Sequence, residues 1–171
     1  MLISNEWLKD YVNVDQSVQA LAERITRTGI EVDDIIDYTK DIKKLVVGHV
    51  LSKTPHPDAD KLNICQVDLG EEEPVQIVCG APNVDEGQHV IVAKVGGRLP
   101  GGIKIKRAKL RGERSEGMIC SLQEIGISSH VTPKNYESGI YVFPEAVKPG
   151  TDALEALYLN DQVMELSLIH I

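Results

Sequence analysis

The chain has 171 residues, 42% of them hydrophobic, and a formal net charge of −8. That length and apolar content can bury a core in one or two domains and exclude a disordered tail. No apolar run approaches the ~18 residues of a membrane span. The opening LISNEWLKDYV lacks a basic n-region and a cleavage site, so no secretory signal is expected. Cys65, Cys79 and Cys120 are odd in number and widely spaced. They read as buried thiols in a reducing cytoplasm, with neither C-x-x-C pairing nor metal-ligand spacing.

Charge divides the chain into three parts. Residues 1–39 hold three bases and eight acids, residues 40–151 fifteen bases and fourteen acids, and residues 152–171 four acids and no base. In the first part Ser4 can cap a short helix through Trp7, Leu8 and Tyr11, and Asp15 or Ser17 a second. Val18, Leu21, Ala22 and Ile25 share one helical face, Gly29 suits its end, and a strand through Ile30–Ile36 follows.

The middle part holds all eight prolines and reads as short strands: Leu45–Ser52, Leu62–Leu69, Val75–Cys79, Val90–Val95, Ile103–Ala108 and Ile140–Phe143. Turns fall at Pro55–Asp60, Gly70–Pro74, Ala81–Gly87 and Gly96–Gly102. This pattern fits a small sandwich or a five-stranded Greek-key barrel. In the last part Thr151 can cap a helix with Leu154, Leu157 and Tyr158, and VMELSLI reads as a closing strand. Neither flank is large enough to fold alone. The expected fold class is therefore α+β: a barrel over 40–151, inserted into a small discontinuous α+β domain of 1–39 with 152–171.

The strongest chemical signal is RLPGGIKIKRAKLRGER, Arg98 to Arg114, with seven bases and one acid. In an acidic chain such concentration points to a polyanion. The bland alternative is a strand edge whose lysines deter sheet-to-sheet association. Ile103 and Ile105 alternate with Lys104 and Lys106, which predicts isoleucines on one strand face and lysines on the other.

The other motifs have structural explanations. His56, Asp58 and Asp60 in HPDADKL lie in one tight turn without a fourth ligand, so no metal site is expected. Cys79 in VCGAPNV has no His–acid partner order and reads as a thiol beside a glycine bend. GGRLPGG lacks the G-x-x-x-x-G-K-[ST] spacing of a phosphate cradle. With aromatic content at 4%, base stacking has few platforms, so phosphate contacts and shape should dominate any nucleic-acid binding.

HPDADKL, VCGAPNV, the LPGG turn, KLRG and SEGMICS occur in family order. Together they resemble the tRNA-binding domain of endothelial-monocyte-activating-polypeptide-like proteins over roughly residues 40–148. The flanks, ISNEWLKDYV, TGIEV and GTD…LNDQVMEL, resemble the opening of the bacterial phenylalanyl-tRNA synthetase β-subunit family. The resemblance implies an OB fold that binds tRNA with little sequence selectivity. It also implies an α-subunit partner in an α2β2 assembly in the cytoplasm.

By the same resemblance, ATP, Mg and phenylalanine chemistry belong to the complete synthetase. No cofactor and no catalytic residue are expected in this chain. The ending SLIHI, Ser167 to Ile171, departs from the family's Thr-Pro-Asn-Arg continuation and reads as an altered or vector-derived tail on a fragment.

On this reading Lys61, Arg98, Lys104, Lys106, Arg107, Lys109, Arg111 and Arg114 contact phosphates. Asn83, Ser115 and Ser121 supply hydrogen bonds. Ser115 and Met118 match positions near the RNA face of stand-alone relatives. Two rivals stay open: a structural docking module of the synthetase, and a stand-alone dimeric tRNA-binding, chaperone-like protein.

Overall fold

The computed structural model describes residues 1–167. Ser4 ends β1 (Leu2–Ser4) and caps α1 (Asn5–Lys9), its hydroxyl accepting from Trp7 N at 3.1 Å. Ser17 caps α2 (Val18–Arg27) in the same way, through Ala20 N at 3.3 Å. The chain continues with β2 (Glu31–Asp37), β3 (Lys43–His56), β4 (Ala59–Asp68), β5 (Val75–Cys79), β6 (His89–Leu99), β7 (Ile103–Lys104), β8 (Ala108–Leu110), β9 (Glu113–Ser115) and β10 (Gly117–Ile119). It closes with α3 (Ala153–Ala156) and β11 (Gln162–Ser167).

The chain divides into two compact units: Met1–Lys40 with the stretch from Tyr158 onward, and Asp41–Leu157. In the first, an antiparallel sheet runs β1-β11-β2. Met164 of β11 stands opposite both Ile3 and Ile35 and is fully buried. It packs with Val18 and Ala22, two residues of the apolar face expected for α2, so one helix covers one face of one sheet.

In the second unit the ladder order is β10-β6-β3-β4-β5, with β7 also on β6 and β8–β9 as a separate hairpin. Val90, Ile91, Val92 and Ala93 of β6 are all fully buried. Both faces of this central strand are covered, which explains a continuous apolar run where an alternating one would suit a half-exposed strand. Each buried valine or isoleucine contributes about 1.5–3 kcal/mol.

The α+β class holds, with much sheet and few helices. Among the described residues the ladders do not close a five-stranded barrel. The ends are joined instead by single bonds, Glu116 N to Gln76 O at 2.8 Å and Val78 N to Ser115 Oγ at 3.1 Å.

Three local expectations are corrected. The strand Ile103–Ala108 is only Ile103–Lys104 and then breaks. Ile140–Phe143 makes one isolated bridge, Val142 to Val90. The cap of α3 is Asp152, whose Oδ1 accepts from Leu154 N and Glu155 N, so Thr151 is not needed. α3 itself sits in the second unit, where Asp152 bridges to Val46. The closing strand is seen through Ser167; the rest of it, with residues 168–171 of the tail, lies outside the described residues.

Candidate nucleic-acid interface

The basic run folds into two structures. Its second half is the β8–β9 hairpin, with pairs Ala108–Ser115, Lys109–Arg114 and Leu110–Glu113. The turn is Arg111-Gly112, both at positive φ (48° and 94°), the backbone that a two-residue hairpin turn of the primed type requires. A free two-stranded hairpin is marginal in water, and this one is tethered at three places.

Ser115, only 3% exposed, accepts from Val78 N and donates to Gly117 O, both at 3.1 Å. The Gln76 amide donates to Arg114 O at 3.0 Å and to Glu113 Oε2 at 3.1 Å. His56, 5% exposed, meets Leu110 O through Nε2 at 3.0 Å, while its Nδ1 accepts from Asp58 N at 3.0 Å. With Nδ1 accepting, the ring proton sits on Nε2 and is donated to Leu110. The histidine of HPDADKL is thus a latch on the basic hairpin. Arg111 Nη1 adds a long contact to Asp58 O at 3.4 Å.

The first half of the run extends the main sheet. Arg98 stands opposite Lys104, and Leu99 opposite Ile103. Ile105 is buried and fixed by Gly96 N to Ile105 O at 2.8 Å and Ile105 N to Gly97 O at 3.0 Å. Ile103, in contrast, is 55% exposed, because β7 ends before the expected alternation can develop. Lys43 of β3 stands opposite Arg98 on its other side, a cation outside the run that sequence reasoning missed. Only the pairing register reveals it.

Of the bases in the run, Arg107 faces a carboxylate, Glu116, at 3.4 Å. Among the described residues, Lys43, Lys61, Arg98, Lys104, Lys106, Lys109, Arg111 and Arg114 have no carboxylate within 4.0 Å. All eight are exposed. Lys109–Arg114 and Arg98–Lys104 are like charges directly across from each other, an arrangement that destabilises a free sheet.

Of the remaining candidates, Asn83 and Ser121 already bond groups of the protein itself. Asn83 Nδ2 donates to Ile140 O at 2.8 Å, and its Oδ1 accepts from Ile140 N at 3.0 Å. Gly139, at φ +120°, leaves room for that amide; any side chain there would run into Asn83. Met118 and Ser121 line a groove of about 440 Å³ with Cys79, Gly80, Ala81 and Glu124. Glu124 Oε2 accepts from Ser121 N at 2.7 Å and from its hydroxyl at 3.0 Å, which puts a carboxylate in this groove.

Burial pushes the thiols of Cys65 and Cys120 up to about 11 and about 12, and raises Cys79 also, so none is poised as a nucleophile. Among the described residues no group of three or more His, Cys, Asp or Glu could hold a metal ion. Nor is any helix long and apolar enough to cross a membrane.

Comparison with known proteins gives the following. Over 168 residues, 98% of this chain, it is 98% identical to the phenylalanine–tRNA ligase β subunit of Staphylococcus epidermidis and 83% identical to that of Staphylococcus aureus. In each case the match covers 21% of the relative, so the chain spans about a fifth of the length of the curated relatives it matches. The C-terminal domain of Plasmodium vivax p43 aligns at 24% identity and TM-score 0.46, over 67% of this chain and 61% of that one. Residues 45–152 match the family described as "Putative tRNA binding domain". That match spans well over half of the chain, which therefore belongs to the tRNA-binding domain family.

Proposed function

We propose that this chain is the tRNA-binding portion of a phenylalanine–tRNA ligase β subunit. Lys61, Arg98, Lys104, Lys106, Lys109, Arg111 and Arg114 contact RNA phosphates, with Arg107 at their edge. The observation that carries this reading is the set of exposed cations without carboxylate partners, four of which, Arg98 with Lys104 and Lys109 with Arg114, stand in like-charged cross-strand pairs. Such pairs cost the free protein stability and gain when an anion lies over both. Asn83 and Ser115 serve by positioning, because their side chains already bond backbone groups. Met118 and Ser121 sit beside the face, in the groove that holds Glu124.

The domain reading follows from the same resemblance. An OB-type barrel, read over 40–151 in the sequence and carrying α3 with it in the unit Asp41–Leu157, interrupts a discontinuous α+β domain formed by the two ends of the chain. In the complete enzyme the β subunit works with an α subunit, as an α2β2 assembly in the cytoplasm. The attachment of phenylalanine, with its ATP and Mg, is carried out by that enzyme and not by this chain alone.

The test is tRNA affinity of the chain against salt. Log affinity should fall against log salt with a slope of about −0.7 to −0.9 per phosphate contacted. Replacing Lys104, Lys106 and Lys109 by glutamine should flatten it. Absence of binding at low salt, or a salt-independent affinity, would sink the reading.

A docking role has its own support in the first unit. Trp7 and Tyr11, four residues apart in sequence, are 75% and 84% exposed there. Full-length aminoacylation and tRNA affinity both unchanged by the triple substitution would favour docking over RNA contact. A stand-alone dimer would show as a doubled mass in solution.

A further inference from the structure

We propose that Lys43, Arg98 and Lys104 form a rung of three cations across β3, β6 and β7 that grips backbone phosphates of double-stranded RNA. This rests on the tRNA-binding reading and deepens it, naming both a residue outside the basic run and the class of RNA segment held. Lys43 opposes Arg98, and Arg98 opposes Lys104, so the three residues share one row on one face of the sheet. Directly opposed side chains start about 5 Å apart, so three positive charges sit within two strand spacings. None has a carboxylate within 4.0 Å among the described residues.

The backbone is shaped to make this row. Leu45 pairs with Ala93, so regular pairing would put Lys43 opposite Val95. An irregularity between Lys43 and Leu45 moves it to Arg98. Lys44 takes φ +57° there, and Gly97 lies so close to Lys43 O that a Cβ would stand 2.8 Å from it. Bulges of this kind re-aim side chains. Here the outcome is to place a third cation beside two others, which raises the repulsion in the free protein.

The ligand class follows from where the unit's aromatic rings are. Tyr136, Tyr141 and Phe143 pack on one another, and none of β3, β6 and β7 carries a Phe, Tyr or Trp. Single-strand binders gain much of their affinity from bases stacked on aromatic rings. A rigid row of cations without such rings suits a rigid row of phosphates, which an A-form duplex presents and a flexible single strand does not.

The experiment compares binding of the chain to an RNA hairpin of roughly 20 base pairs and to oligouridylate of similar charge, from about 50 to about 200 mM salt. Duplex should be preferred. K43Q should flatten the salt slope by about 0.7–0.9, so that raising salt over that range costs it about threefold less affinity than the parent. K43R should keep the parent slope. Thermal midpoints without RNA should show K43Q folded and no less stable than the parent.

A K43Q slope equal to the parent's, beside a K109Q slope that is flattened, overturns the rung and leaves tRNA binding standing. Oligouridylate bound as tightly as duplex overturns the choice of duplex. Displacement of the duplex by polyglutamate at equal charge would give the rung to an acidic protein and overturn the proposal. No binding to either RNA at the lowest salt is instead a failure of the tRNA-binding reading itself.

Discussion

The rung on β6–β7 and the hairpin β8–β9 display the same charge and are built in opposite ways. Beneath the rung lie Leu99 and Ile105, both buried, so its cations stand on hydrophobic anchors continuous with the sheet. In the hairpin all three residues of β8 are exposed, and of β9 only Ser115 is buried. What holds the hairpin is side-chain hydrogen bonding from Ser115, Gln76 and His56. Burial of apolar surface makes a stiff platform. Polar tethers of about 1 kcal/mol each make one that can be loosened piece by piece without unfolding the rest.

Substitutions should separate the two. Leu99→Ala should cost about 2–5 kcal/mol by opening a cavity under the rung, read as a lower urea midpoint for the second unit. Ser115→Ala strands the Val78 N–H and should cost about 1–3 kcal/mol. Hydrogen exchange should then quicken in the hairpin and at Val78 while β6 stays protected. Equal quickening in both would show that hairpin and sheet open as one. Gly112→Ala puts a Cβ where φ is +94° and should cost about 1 kcal/mol. Its effect on RNA affinity should be confined to the hairpin's share of the salt slope.

The smallest effect belongs to the sheet alone. His49 and His89 stack across β3 and β6 with ring centroids 4.5 Å apart. Desolvation, and then the neighbouring His49, hold His89 below the usual histidine value. The folded state therefore prefers the neutral ring. Its stabilisation is present above the unfolded value of about 6.5 and is lost as pH falls below that through the depressed folded value. The urea midpoint should drop between about pH 7 and about pH 5, and His89→Gln should shrink that drop. Exchange of the hairpin amides relative to the sheet should not follow it.

Local chemistry made some elements legible in the sequence. β5 runs Val75–Cys79 as read, because Pro74 and Gly80 bracket an apolar run. Ser17 was one of two candidate caps, and α2 begins directly after it. The strand expected over Ile103–Ala108 misses the break after Lys104 and the β8–β9 hairpin, because that hairpin's turn is Arg-Gly, without the Asn-Gly or Asp-Gly signal. Ser115 and Asn83 are expected from the sequence to supply hydrogen bonds to RNA, Ser115 also by resemblance to stand-alone relatives. Their partners, Val78 and Ile140, are 37 and 57 residues away, a distance no local pattern spans. Lys43 escaped notice for the same reason: its meaning lies in a register set by Lys44 and Gly97.

The amide of Asn83 has one more consequence. It ties down Ile140 from both sides, while Tyr141 N reaches Cys120 O at 3.4 Å, so the excursion between residues 121 and 139 is closed at its neck by non-covalent bonds. Covalent continuity through its outer part is then dispensable to the sheet. A circular permutation opening new termini between Ser129 and His130, both exposed, should leave the cationic face folded.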